Sequence, residues 1–212
     1  MLIDLLTVVV IAFFGSRLLV AFRRSLMSDA KWITLRIVRG LRLRHFLPVP
    51  VVLTLVILAA YALSSLPILS FGWWTAVGGE GNPVFGSTER TSGTALSWLV
   101  PLVFMILLLP ALPLFAKREE EMFRLGAEDW STVKRAGKAV LFGLVHALIG
   151  IPIGVALALS IGGAYFTLSY LRGYRRGGRV EALLESTRAH TAYNLTIVVL
   201  VLISLPTIAS AG

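Results

Sequence analysis

Long apolar runs alternate with short polar stretches along this chain. The runs cover residues 1–22, 47–70, 95–116, 139–170 and 189–210. An α-helix needs about 20 apolar residues to cross the hydrocarbon core of a bilayer, and these runs are of that order or longer. The run at 139–170 differs from the rest, because both of its flanks are basic. Basic flanks favour the cytoplasmic side, so this run is expected to enter and return. Its turn is expected near Gly150-Ile-Pro-Ile-Gly154, giving a buried short helix followed by a Gly-rich one. Gly154, Gly162 and Gly163 are expected to permit close helix contacts. Pro101, Pro110 and Pro113 are expected to bend the run at 95–116.

The stretches between the runs set the orientation. Residues 23–46 carry Arg23, Arg24, Lys31, Arg36, Arg39, Arg42 and Arg44, with Trp32, Leu35, Ile37 and Val38 interspersed. That pattern predicts an amphipathic helix lying on the cytoplasmic membrane surface. Residues 71–94 are rich in Gly, Ser and Thr, with Glu80, Glu89 and Arg90 charged, and read as an external loop. Trp73 and Trp74 there are natural interface anchors. Residues 117–138 and a basic loop at Arg172 to Arg179 return to the cytoplasm. The first run lacks a basic leading segment and holds Asp4 and Arg17, so it reads as a retained span with its N-terminus outside.

Composition agrees with this pattern. The 212 residues are 57% hydrophobic, and the mean hydropathy is +0.83. A soluble domain is nearer 45–50% apolar. The expected fold is therefore all-α: a polytopic transmembrane bundle of about five to six membrane helices, forming one integral membrane domain over 1–212. The expected location is a bacterial plasma membrane. The net charge of +9 sits in short stretches between apolar runs, without aromatic interleaving or a nucleic-acid motif. Membrane lipid headgroups, and not nucleic acid, are the partners it implies. The absence of cysteine excludes disulfides, thiolate nucleophiles and Cys-based zinc sites.

Three polar clusters carry the candidate chemistry. The first is EEEMFR, Glu119 to Arg124. Helical residues four apart share a face, so Glu120 faces Arg124 as a paired carboxylate. Glu119 shares its face with Met122 and Phe123 and is the freer group, suited to a general base. A solvated charge run is the competing reading. The second cluster pairs Phe142 with His146, again four apart, so that the ring packs beside the imidazole. A helix starting near 139 would put His146 about 10 Å along its axis. A core histidine bonded to a backbone carbonyl is the alternative. The third cluster, His190 and Asn194, stands at the cytoplasmic start of the last run, where Asn offers both a donor and an acceptor. An interfacial polar cap competes there. His45 sits in a basic stretch with no carboxylate near it in sequence, and no role is expected of it.

The ordered set EExxxR, FxxxH, HxxxN resembles the CPBP family of intramembrane proteases, also called Abi or Rce1-like, over roughly residues 117–200. The resemblance implies a polar cavity on the cytoplasmic side and hydrolysis of a peptide bond in a membrane-associated peptide or protein, including prenylated CAAX-like substrates. It implies that Glu119 and His146 activate a water and that His190 and Asn194 stabilise the tetrahedral intermediate. Glu120, Arg124 and Phe142 would support them. No cofactor is implied. The segment before the last histidine, RVEALLESTRAH, departs from the family by being polar. Three other readings stand beside this one. A zinc site could use His146, His190 and Glu119, with a water in the fourth position. A non-catalytic immunity or scaffold protein could use the same groups as an interhelical lock. A transporter with a Glu–His relay would be expected to show repeats, and none is seen in the sequence.

Overall fold

A computed structural model describes residues 2–27, 30–79 and 93–211 of the chain. The helices are α1 (Leu2–Met27), α2 (Ala30–Arg39), α3 (Leu43–Phe46), α4 (Val49–Ser64), α5 (Trp73–Ala76), α6 (Leu96–Phe123), α7 (Thr132–Val145), α8 (Ile153–Ala158) and α9 (Ser160–Ala211). Short 3-10 turns at Ala127–Asp129 and His146–Ile149 join α6 to α7 and α7 to α8. No strand occurs among the described residues. The charged part of the loop expected at 71–94, with Glu80, Glu89 and Arg90, lies outside them.

Three stretches of the described residues are long and apolar enough to cross a membrane: Leu43–Ser64, Ser97–Asp129 and Ile153–Ser204. That is fewer than the five to six expected, for reasons visible in the backbone. The third stretch folds back on itself. Gly177 and Gly178 leave helical geometry, and Gly178 has φ 70, a left-handed value that favours glycine. The tip is tight, since a side-chain carbon at Gly173 would lie 2.8 Å from Ala182 Cα. α9 is thus a hairpin of two helical arms, 160–176 and 179–211. The first limb of the run expected to enter and return, α7, has only 14 residues. Residues 2–22 of the expected first span are helical, but the side chains of residues 1–4 and 7 lie outside the description.

Several boundaries move from their expected places. Arg172 to Arg176 continue the helix, so the basic loop shrinks to a two-glycine turn. The polar segment RVEALLESTRAH is helical throughout, which puts His190 three turns inside its arm and not at its start. α7 begins at Thr132, where the Ser131 side chain accepts from the Lys134 amide. His146 therefore caps a 14-residue helix, about 21 Å from its start rather than 10 Å. α6 stays helical through Pro101, Pro110 and Pro113 and runs on to Phe123. The EEEMFR cluster consequently rides on the same helix as the apolar run before it.

The run at 139–170 reverses direction near Gly150, where the turn was expected. Gly150 adopts φ 87 and reverses the chain between α7 and α8. The Ile153 and Gly154 amides donate to the Phe71 and Leu69 carbonyls at 2.9 and 2.7 Å, and the Trp73 indole donates to the Ala147 carbonyl at 3.1 Å. α7 then lies against α8 and the first arm of α9. The closest approaches use Gly163 as expected, 2.9 Å from the Ala139 carbonyl if a side-chain carbon were added, and Gly143, 2.3 Å from the Ala156 carbonyl. Gly162 has no such role, because it meets only the Phe166 ring at ordinary distance. Val49, Val52, Phe123, Phe142, Phe166, Ala189 and Tyr193 form one apolar core drawn from α4, α6, α7 and both arms of α9.

Candidate active site

The core just described surrounds a chain of charged groups. Glu120 and Arg124 sit one turn apart on α6 and are both fully buried. The Arg124 Nη1 lies 3.2 Å from the Glu120 Oε1, and Nη2 donates to the Gly163 carbonyl at 3.3 Å. The guanidinium stands 4.1 Å above the Phe142 ring centre. A buried charge is costly unless it is paired, and a cation over an aromatic face gains further attraction when water is excluded. These contacts hold a full charge pair inside an apolar bundle.

His190, on the second arm of α9, completes the chain. It is buried and stacks on Phe166, with ring centres 4.1 Å apart, and it meets the edge of Phe142 at 5.5 Å. Its Nδ1 lies 2.9 Å from the Glu120 Oε1. A carboxylate accepts, so Nδ1 carries a proton and Nε2 is the ring nitrogen left for other partners. Nε2 points towards Glu119, whose Oε2 is 3.7 Å away. That gap is too long for a hydrogen bond, and the Glu119 Oε2 is buried without a hydrogen-bond partner. Glu119 retains 27% of its side-chain surface in the open, whereas Glu120 retains none. The third glutamate of the run, Glu121, pairs with Lys117 one turn back.

The other expected residues lie at the margins. His146 is half-buried, its ring 5.0 Å from Phe142, and its Nδ1 lies 2.8 Å from the Phe142 carbonyl. A carbonyl only accepts, so here too Nδ1 donates and Nε2 keeps the lone pair. The structure thus shows the carbonyl-bonded geometry weighed as the alternative for this residue. Phe142 links the two rings, and no direct contact joins His146 to Glu119 among the described contacts. Asn194 is half-buried, one turn beyond His190 on the same face. The polar groups are closed in by rings rather than arranged around a polar cavity. A cavity of about 290 Å³ does exist between α1 and α6, but its lining, which includes Phe14, Leu18, Val103 and Leu107, is wholly apolar. Glu119, His146 and His190 do not form a group able to hold a metal ion, and no other trio of His, Asp or Glu does so among the described residues.

His45 overturns the expectation made for it. It is buried, and Glu185, distant in sequence, lies 3.4 Å from its Nε2. Its Nδ1 accepts from the Arg42 amide at 2.9 Å. Arg44 joins Glu185 at 2.9 Å and Arg176 at 3.5 Å. Glu185 belongs to the polar segment RVEALLESTRAH before His190, so the charge of that segment has a structural purpose. It ties the second arm of α9 to α3. A further lock holds the tip, where the Tyr170 hydroxyl donates to Glu128 at 3.0 Å and accepts from the Gly126 amide at 3.1 Å. The fourfold spacing that revealed Glu120 and Arg124 gives no signal for contacts made across so much chain.

No protein-family model matches this chain, and no curated protein or solved structure matches it either.

Proposed function

We propose that this chain is an integral membrane endopeptidase that cleaves a peptide bond in a membrane-associated substrate, with Glu119 as the base. One observation carries the reading. A partly exposed glutamate presents a buried, unpartnered Oε2 to Nε2 of a buried histidine across 3.7 Å, while the far side of that ring is anchored by a buried Glu120–Arg124 pair. A purely structural network has no need of a second, open carboxylate. In the proposed reaction Glu119 takes a proton from a water as its oxygen attacks the scissile carbonyl. His190, having taken a proton from solvent on Nε2 before substrate binds, donates that N–H to the oxyanion and keeps the proton throughout, with Asn194 one turn further along. The carbon–nitrogen bond then breaks, and the proton held by Glu119 passes to the leaving amine. His146 keeps a basic Nε2 beside the same Phe142 ring and assists at the water. The order EExxxR, FxxxH, HxxxN supports the reading through its resemblance to the CPBP proteases. The basic residues at the ends of the apolar stretches favour a site towards the cytoplasmic side.

The test is cleavage of a membrane-peptide panel, prenylated CAAX-like peptides included, by purified wild type and Glu119→Ala, each with and without chelator. Loss of cleavage in the variant, with no effect of chelator, is expected. A general base contributes on the order of 10²–10⁴ in rate. Cleavage by Glu119→Ala at the wild-type rate would overturn the assignment. Chelator-sensitive cleavage would move the chemistry to a zinc ion.

A further inference from the structure

We propose that α2 and α3 form a binding surface for anionic phospholipid headgroups, and that lipid bound there steadies the arm of α9 that carries His190. α2 has two distinct faces. Ala30, Thr34 and Ile37 fall on one stripe and are buried against the bundle. Trp32, Arg36 and Arg39 fall on the opposite stripe, at spacings of four and three, and are exposed with Lys31 beside them. Trp32 is 72% exposed, and Leu43, at the start of α3, is 71% exposed. No carboxylate among the described residues pairs with Lys31, Arg36, Arg39 or Arg42. α2 comes directly before the apolar stretch Leu43–Ser64, which fixes it at the end of a span. Unpaired cations around an exposed indole at that depth match a layer of negative headgroups over acyl chains.

The same elements grip the second arm of α9. The Arg188 guanidinium lies flat on Gly40, where an added side-chain carbon would sit 2.2 Å from its Nε. Arg44 and His45 both reach Glu185. Arg188 and Glu185 precede His190 by two and five residues. At 1.5 Å per residue, His190 lies about 7.5 Å along the helix from the level of Glu185. If α2 marks the headgroup level, the proposed site is one to two turns from it. The inference deepens the reading of the site, but neither readout below depends on peptide cleavage, so the two can fail separately.

Full-length protein would be reconstituted in phosphatidylcholine nanodiscs with and without phosphatidylglycerol. Brominated phosphatidylglycerol is expected to quench the Trp32 fluorescence, defined by difference from Trp32→Phe, more than brominated phosphatidylcholine does. The triple substitution Lys31→Gln, Arg36→Gln, Arg39→Gln should remove that preference, by about fivefold for each charge lost. Arg36→Lys with Arg39→Lys should retain it. Phosphatidylglycerol should also raise the thermal midpoint of wild type and leave that of the triple variant unchanged. Equal quenching by both lipids overturns the headgroup site. Quenching by neither would place the face in water, open to an acidic protein, and would overturn it as well. A preference without a shift in midpoint overturns the link to α9.

Discussion

Two histidines in this chain are buried beside a carboxylate and an arginine, and both clusters involve the same arm of α9. His190 meets Glu120 and Arg124; His45 meets Glu185 and Arg44. Their tautomers are opposite. His45 accepts at Nδ1 from a backbone amide, so its Nε2 holds the proton and faces Glu185. That nitrogen stands at ion-pair distance from the carboxylate, 3.4 Å, without a hydrogen bond of its own. His190 donates from Nδ1 to Glu120 and keeps Nε2 for Glu119, beyond hydrogen-bonding distance. The surroundings differ as well. Around Glu185, Arg44 and Arg176 are about half exposed, whereas Arg124 is sealed under three phenylalanine rings. The presence of His, Glu and Arg together therefore says little about chemistry. What separates a brace from a candidate site is the carboxylate that the second ring nitrogen faces: at His45 it is already held by two arginines, and at His190 it presents an oxygen with no hydrogen-bond partner.

The sharpest way to break this comparison is to remove each anchoring carboxylate. Glu120→Ala leaves a fully buried arginine without its counter-charge. The expected loss is about 3–5 kcal/mol, enough to unfold much of the protein in detergent. Glu185→Ala removes a carboxylate whose arginine partners can turn to solvent. The expected loss is nearer 1–3 kcal/mol, dominated by the orphaned His45. Thermal or SDS titration of both variants measures the order directly. A larger loss for Glu185→Ala would mean that the brace at α3, and not the Glu120–Arg124 pair, is the energetic centre of the bundle. Gly143→Ala tests the packing that brings Phe142 to both rings. Its new carbon would press on the Ala156 carbonyl, and backbone yields less readily than a side chain. About 1–3 kcal/mol of destabilisation is expected from the same titration.

The sequence disclosed local relationships better than distant ones. The Glu120–Arg124 pair and the Phe142–His146 contact were legible because a helix places residues four apart on one face. The reversal at Gly150 was legible from basic flanks around a run too long for one crossing. Helix ends were read less well. α7 begins seven residues before the apolar run, because Ser131 caps it and Lys134, Arg135 and Lys138 are good helix formers, with Arg135 donating to the Ala127 and Glu128 carbonyls and Lys138 lying over the Trp130 ring. The arm of α9 before His190 stood out in the sequence only as a polar segment. Its charges are met in two ways, with Glu185 paired across the bundle to α3 and Glu181 paired to Arg188 two turns along the same arm. His45 was passed over for the same reason. Its partner lies 140 residues further on, and one sequence carries no signal for that pairing.

The smallest expected change in stability is also the most discriminating. Glu119 is partly open and lies 3.7 Å from His190. Glu119→Gln should shift stability by no more than about 0.5 kcal/mol. The coupling of each glutamate to His190 can be separated by double-mutant cycles with His190→Ala, read by the same titrations. The Glu120–His190 cycle should give about 1.5–3 kcal/mol, the usual range for a hydrogen bond to a charged group. The Glu119–His190 cycle should give under about 0.5 kcal/mol. A carboxylate that contributes nothing to the fold, beside an imidazole held in place by another, is difficult to explain as a structural lock. Strong coupling to Glu119 would reverse that argument, because the pair would then be part of the scaffold and the proposed base would lose the freedom its role requires.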